Sequence, residues 1–455
     1  MAVSGKWYKL DNAATIVPST AKGADTRVFR LCCELMEEID PFVLQQALDE
    51  TSVEFPHLNK VLRKGMFWYY LDDTPVTPIV EKDVLPPCAP LYYPGRRGLL
   101  YRVVYYRNRI SLEMFHVLAD GMGAMIFFKR LITSYLSIAH GLTAPEQTDT
   151  SSAFEKTDDA FDHFYEKGRG SSQLGQMAAT KAYRITGELD ENFETHIVEA
   201  VVSAKAFSNL ARKYNTTAGV LSASLLIETL VSGMKRHDRK YPVVISVPVN
   251  LRSFFPSETT RNFFGVINVK YHAKETGQGG AKELLETIIE AVKKSFDEQL
   301  QVDNVRATMN SYSSFQHNIA VKMVPLFIKD LGIGYISGIT EKGVTATLSN
   351  LGRITMPDEF TPYINLISAF MATPNMQICI SSFGDKMVFG ASSAFTEHNV
   401  MRAFLRRLTS LGLDVTIATN DYDIQEENRF DELFLKKRRE KARQQNKAQD
   451  AFKKL

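Results

Sequence analysis

Two periods of apolar residues alternate along this chain. Segments that alternate every second residue read as strands, and segments with apolar positions three and four apart read as helices. "TRVFRLCCELME" (26–37) is rich in β-formers and predicts a strand. "DPFVLQQALDETSVEF" (40–55) predicts a helix, with Asp40 as its N-cap and Pro41 at the first helical position. Phe42, Leu44, Ala47 and Leu48 share one face of it. "KGMFWYYLDD" (64–73) is a further strand, and "GLLYRVVYYRNRISLEMFH" (98–116) a hairpin that turns near residues 107–109. From Met122 to about Ala139 the period is helical again, and His140-Gly141 ends it.

The second half repeats this mixture without a strict internal repeat. "ENFETHIVEAVVS" (191–203) predicts a strand. A helix capped by Ser203 follows, then a longer buried helix over 216–234. "YPVVISVPVNLR" (241–252) predicts a strand ending at Arg252. "NFFGVINVKYH" (262–272) predicts another, with Gly265 marking a bulge or a close backbone approach. An amphipathic helix over 281–300, a strand over 343–354, a hairpin over 377–393 and a helix over 394–413 complete the pattern.

The polar, Ser/Thr/Asp/Gly-rich stretch between the halves reads as a linker. The expected organisation is therefore α/β in an α+β layered arrangement. Residues 1–145 form a first unit, 146–183 a linker, 184–425 a second unit, and 426–455 a basic helical or disordered tail. A length of 455 residues suits two cores better than one. In the tail, six of the eight residues from Lys436 to Arg443 are basic. A solvated tail is the plain reading, and a weak contact with anionic membrane is the sharper one.

Charge narrows the function classes. Lys plus Arg number 54 against 52 Asp plus Glu, and a net charge of +2 argues against a dedicated nucleic-acid binder. The four cysteines, Cys32, Cys33, Cys88 and Cys379, have neither disulfide-framework nor zinc spacing, so no metal is expected. The N-terminal residues lack the apolar core of a signal peptide, and no uninterrupted apolar run reaches about 18 residues. A reduced, cytoplasmic setting is the expectation.

Candidate chemistry is sparse. There is no phosphate-cradling loop and no Gly-x-Ser-x-Gly elbow, and "GIGYISG" (332–338) lacks dinucleotide spacing and does not read as the opening of a plain helix. Cys88 between prolines and alanine reads as an inert thiol. His57, His140, His163, His237 and His398 fall in polar segments, and nothing fixes a role for His317. His116 differs. It ends a strand, and Asp120 and Gly121 follow inside an apolar run where unpaired charge is costly. An imidazole there suits a general base. The plain alternative stays open: Asp120 as only a helix cap and His116 as a satisfied core histidine.

His-x-x-x-Asp-Gly at 116–121, with "VPVNLR" and "NFFG" in the second half and "TLSNLGRI" later, resembles the CoA-dependent acyltransferase superfamily. That superfamily holds chloramphenicol acetyltransferase, the plant BAHD acyltransferases and the condensation domains of peptide synthetases. The alcohol O-acetyltransferase branch is the most similar. Relatives often carry two adjacent histidines where this chain has Phe115-His116, and the plant Asp-Phe-Gly-Trp-Gly segment is absent.

The resemblance implies two chloramphenicol-acetyltransferase-like domains with the active site in a tunnel between them. It implies His116 as the base that deprotonates the acceptor, and Asp120, Gly121 and Arg252 as support for its loop. Asn262, Gly265, Ser349 and Asn350 would line the substrate or donor tunnel. Acyl-CoA, in particular acetyl-CoA, would be the donor substrate and an alcohol the acceptor, with no permanently bound cofactor. Acyl transfer to an amine, a carrier-protein-dependent condensation, and a non-catalytic binding role are the alternatives. The aromatic run "MFWYYLDD" (66–73) reads as a core strand, with the lining of an apolar acceptor pocket as its alternative.

Overall fold

A computed structural model describes residues 7–143, 158–166, 181–273 and 281–420. The first half supplies β1 (Tyr8–Lys9), β2 (Val28–Leu35), β3 (Lys60–Lys64), β4 (Tyr69–Asp73), β5 (Val80–Lys82), β6 (Tyr101–Tyr106) and β7 (Arg109–Phe115). Its helices are α1 (Val17–Thr20), α2 (Pro41–Glu54) and α3 (Gly121–His140). Next come α4 (Ala160–His163), β8 (His196–Ser203), α5 (Ala204–Lys213), α6 (Ala218–Gly233), β9 (Val243–Asn250) and β10 (Phe264–Tyr271). Four helices follow: α7 (Ala281–Gln299), α8 (Val302–His317), α9 (Ile319–Met323) and α10 (Leu326–Glu341). They lead to β11 (Ala346–Arg353), β12 (Ile364–Met371), β13 (Met376–Phe383), β14 (Lys386–Ser393), α11 (Asn399–Ser410) and β15 (Thr416–Thr419).

Two large sheets organise these elements. One has the order β12-β2-β7-β6-β5 and the other β10-β9-β11-β13-β14-β8-β15, and a three-stranded sheet β1-β4-β3 stands apart. Helices α2 and α3 pack with the first sheet, and their apolar faces join its strands in one core. Helices α6, α7 and α11 do the same for the second. β12, far along the chain, pairs antiparallel with β2 from Ile364↔Leu35 to Met371↔Phe29. The first sheet therefore draws a strand from beyond residue 145. At Gly390 of β14 an added Cβ would lie 2.3 Å from the Ala369 carbonyl oxygen of β12, so glycine permits the sheets to meet there.

Local signals explain the elements. Asp40 caps α2, accepting from the Phe42 and Val43 amides. Ser203 caps α5 by accepting from Ala206 N, and Gly141 ends α3 in the left-handed conformation at φ 65°. By length and composition α3 could cross a bilayer, but Phe127, Phe128, Leu131 and Ile132 are buried, which makes it a core helix.

Several elements depart from the pattern. Phe42 is exposed while Leu44, Ala47 and Leu48 are buried, so the buried face of α2 does not include its second residue. The strand expected over 64–73 begins only at Tyr69, after a turn closed by Gly65 N donating to Trp68 O at 2.9 Å. β9 stops at Asn250, and Arg252 lies in the 3-10 turn Leu251–Ser253. Gly265 pairs in regular register with Val249, so it marks a close approach, with an added Cβ 3.2 Å from Leu251 Cδ2, and no bulge. "GIGYISG" lies inside helix α10. Of the expected linker, the described part holds α4, whose Ala160 and Phe161 are buried, and the rest, like the tail over 426–455, lies outside the described residues.

Candidate active site

His116 follows the last residue of β7. Its backbone N–H donates to Arg27 O at 2.9 Å, extending the β2–β7 pairing by one residue. Its ring stands between Phe29 (centroids 5.3 Å, edge-on) and Phe264 (5.4 Å). The side chain keeps part of its surface open, yet enough protein surrounds it that burial pushes its pKa below the usual value. The Asp120 carboxylate and the hydrogen bond to Asn262 oppose that shift without reversing it.

The bond to Asn262 determines which nitrogen is free. His116 Nδ1 lies 2.9 Å from Asn262 Oδ1. Asn262 Nδ2 donates to His116 O at 3.1 Å and to Asp11 Oδ2 at 3.1 Å. Two acceptors on the amide nitrogen fix the amide's orientation, so Oδ1 is the acceptor and Nδ1 carries the proton. Nε2 then holds the lone pair. Asp11, fully buried, also accepts from Ala14 N at 2.8 Å and lies 3.6 Å from Arg261 Nε. Burial pushes its pKa up, against the pull of Arg261.

Asp120 does two things at once. Its Oδ1 caps α3 by accepting from Gly123 N at 2.8 Å, and its Oδ2 accepts from Phe263 N and from Arg252 Nη1, each at 2.8 Å. Arg252 also donates to the carbonyls of Thr259 and Arg261, so one guanidinium gathers the 259–263 loop. That loop carries Asn262. Pair, loop, amide and imidazole thus form one connected network in which the buried charges of Asp120 and Arg252 are matched.

The glycines admit close approach. A Cβ at Gly123 would stand 1.9 Å from the Thr260 carbonyl oxygen, and one at Gly121 would meet Leu351 Cδ2 at 3.1 Å. Leu351 sits at a register shift of β11, between Asn350 and Gly352, where Gly352 adopts φ 72°. Asn350 accepts from Gly352 N at 2.9 Å and lies 3.4 Å from where a Gly219 Cβ would be, at the start of α6. Ser349 stays in the ladder opposite Cys379. Near the start of α6 a cavity of about 420 Å³ is lined by Arg212, Asn215, Thr216, Thr217, Lys293 and Asp297, with Val220.

His116 with Asn262 and Asp120 with Arg252 are therefore directly bonded pairs, joined to each other through the backbone of the 259–263 loop, and Gly121 flanks them. Gly265 contacts Leu251 instead, and Asn350 faces α6. The sequence reading missed Asp11 and Leu351. Asp11 lies in the short polar turn "DNAAT", which carries no periodic signal. Cys88 is buried, and burial raises its thiol pKa well above the usual value, which is unfit for a nucleophile.

Solved structures share this architecture. Trichothecene 15-O-acetyltransferase TRI3 from Fusarium sporotrichioides is 12% identical with a TM-score of 0.60, covering 90% of this chain and 95% of its own. TRI101 of F. graminearum, complexed with coenzyme A and T-2 mycotoxin, is 11% identical with a TM-score of 0.60, covering 89% and 97%. The chain has the fold of the CoA-dependent acyltransferase superfamily. The first condensation domain of the calcium-dependent antibiotic synthetase also has it, at 15% identity, a TM-score of 0.58 and coverage of 89% and 96%. No protein-family model and no curated protein matches the sequence.

Proposed function

We propose that the chain is an acyltransferase that passes an acyl group, in first place acetyl, from a coenzyme A thioester directly to a hydroxyl. The observation that carries this reading is the His116–Asn262 bond, which leaves Nε2 unprotonated and the imidazole neutral near pH 7. In the proposed reaction the acceptor O–H gives its proton to Nε2 as its oxygen attacks the thioester carbonyl. The tetrahedral adduct collapses, the C–S bond breaks, and the imidazolium returns the proton to the departing CoA sulfur. Asn262 Oδ1 holds the second ring proton throughout and stabilises the transient positive charge. No covalent enzyme intermediate is needed.

The donor's phosphates suit the cavity beside α6. Arg212 and Lys293 supply cations against the one carboxylate of Asp297, and among the described residues the buried Thr216 hydroxyl there has no partner. Asn350 at Gly219 and the next residue, Leu351, at Gly121 mark a path from that cavity to the His116 loop.

A screen of acyl-CoA donors against alcohol and amine acceptors, following thiol release, tests the reading. Transfer to an alcohol is expected, and His116→Ala is expected to lower kcat by about 10²- to 10⁴-fold with its circular dichroism unchanged. Near-normal transfer by a folded His116→Ala protein would remove His116 as the base. An absence of transfer from every donor would favour a binding role.

A further inference from the structure

Helix α10 is built inside out. Its charged residues Lys329, Asp330 and Glu341 turn toward the protein, while most of its large apolar residues face water. Asp330 accepts from Ser19 Oγ at 2.7 Å, Lys64 Nζ at 2.9 Å and Tyr69 Oη at 3.1 Å. Lys329 is buried, donates to Phe67 O at 3.0 Å and lies 3.4 Å from the Trp68 ring centroid. Gly334 approaches the Ser19 carbonyl, and Ser337 bonds Glu341. Leu326, Asp330, Gly334, Ser337 and Glu341 thus follow helical spacing along the inner side.

The outer side carries Phe327 (62% exposed), Ile328, Leu331 (74%), Tyr335 (73%) and Ile336, at spacings of one, three and four. Met323 of α9 is exposed just before it, and so is Met66, whose carbonyl accepts from Leu326 N. Rolling the helix to bury this face would break the contacts of Asp330 and Lys329, so the exposure is fixed by the inward polar anchors. A contiguous apolar face of this kind marks an interaction surface.

Charge identifies the partner. Lys322 and Lys342 are exposed at the two ends of the face, whereas the two carboxylates of residues 319–342 are engaged, Asp330 by Lys64, Ser19 and Tyr69 and Glu341 by Ser337. We propose that the outer face of α9–α10 docks on an anionic lipid surface, with Phe327, Leu331 and Tyr335 entering the headgroup boundary and the lysines meeting lipid phosphates. Aliphatic and aromatic side chains flanked by lysine are what that interface selects. The inner side of the same helix reaches the neighbourhood of the candidate active site: Glu341 lies 4.0 Å from Arg27, whose carbonyl accepts the His116 N–H. Docking does not depend on the acyl-transfer reading.

Co-sedimentation of the full chain with phosphatidylcholine vesicles, with and without phosphatidylserine, tests this with no activity readout. The wild type is expected to bind the anionic vesicles and to keep part of that binding at high salt, where contacts made by charge alone are screened. Phe327→Ser/Leu331→Ser/Tyr335→Ser, with an unchanged melting curve, is expected to lower the partition coefficient at least about tenfold. Lys322→Glu/Lys342→Glu should weaken binding at low salt only. The proposal is overturned if the wild type ignores both vesicles, or if the folded triple variant binds as well as the wild type. It is also overturned if the wild type forms a dimer that the triple variant does not while neither binds lipid, which would assign the face to a second copy.

Discussion

At the scale of single residues, the site depends on which imidazole nitrogen carries the proton. Asn262 sets this through two donated bonds and one accepted bond. Asn262→Ala is expected to leave the ring free to turn and to lower kcat about 10- to 150-fold, the worth of a hydrogen bond to a group that becomes charged. KM should change little. A rise in KM with kcat unchanged would assign Asn262 to substrate binding. The lowered pKa of His116 also makes a pH prediction. Burial disfavours the charged ring, so the base form persists below the ordinary value of about 6.5. The acid limb of kcat/KM should inflect below that value. The same shift acts on stability: unfolded chains take up the proton first as pH falls, so this contribution is present above about pH 6.5 and is lost toward the folded-state pKa. An inflection above 6.5 would mean that Asp120 and Asn262 outweigh burial.

Elements matter here through their ends. The start of α3, the end of β9 and the 259–263 loop converge on Asp120 and Arg252. Removing one partner leaves the other buried and uncompensated, so Asp120→Asn and Arg252→Ala should each cost about 3–5 kcal/mol. Their double mutant should cost far less than the sum, as read by denaturant unfolding, because both singles break one interaction. Gly123 tests the close approach of helix and loop. Its added methyl would collide with a backbone carbonyl, so Gly123→Ala should force the loop away, lower Tm and reduce transfer. Gly352→Ala provides the contrast: nothing lies within 4 Å of its Cβ position, and only its positive φ opposes the change, at a cost of about 1 kcal/mol.

Across the whole molecule, buried charge fastens the two large sheets together. Arg109 of β7 donates to both oxygens of Glu199 of β8, at 3.1 and 2.8 Å, and to Glu34 at 2.6 Å. Ser368 of β12 completes Glu199 at 2.6 Å. The cavity at α6 lies in the half that holds the second sheet, while His116 ends a strand of the first, so the proposed donor site and the proposed base belong to different sheets. Arg212→Glu/Lys293→Glu reverses two exposed charges at that cavity. It should raise KM for acyl-CoA about tenfold or more and leave KM for the acceptor alone, as measured by initial rates. Equal effects on both substrates would place the phosphates elsewhere.

The sequence by itself determined what depends on neighbours in the chain. The cap at Asp40, the stop at Gly141, the hairpin of β6 and β7 and the His-x-x-x-Asp-Gly turn all rest on contacts a few residues apart, and each was legible. The partnership of Asp120 with Arg252 was within reach only through the motif's resemblance, because 132 positions separate them. Tertiary structure alone decided the rest. Asp11 reaches Asn262 across 251 positions from a turn without periodicity. β12 completes a sheet begun before residue 40, which no local pattern encodes. Helix α10 was missed because its apolar side faces outward and its glycines imitate a loop, and that orientation is held by inward contacts of Asp330 with Ser19, Lys64 and Tyr69 and of Lys329 with Phe67 and Trp68. Local propensity selects the elements, but side chains far apart in sequence choose which faces meet, since burial and charge pairing are settled only when the sheets close on each other.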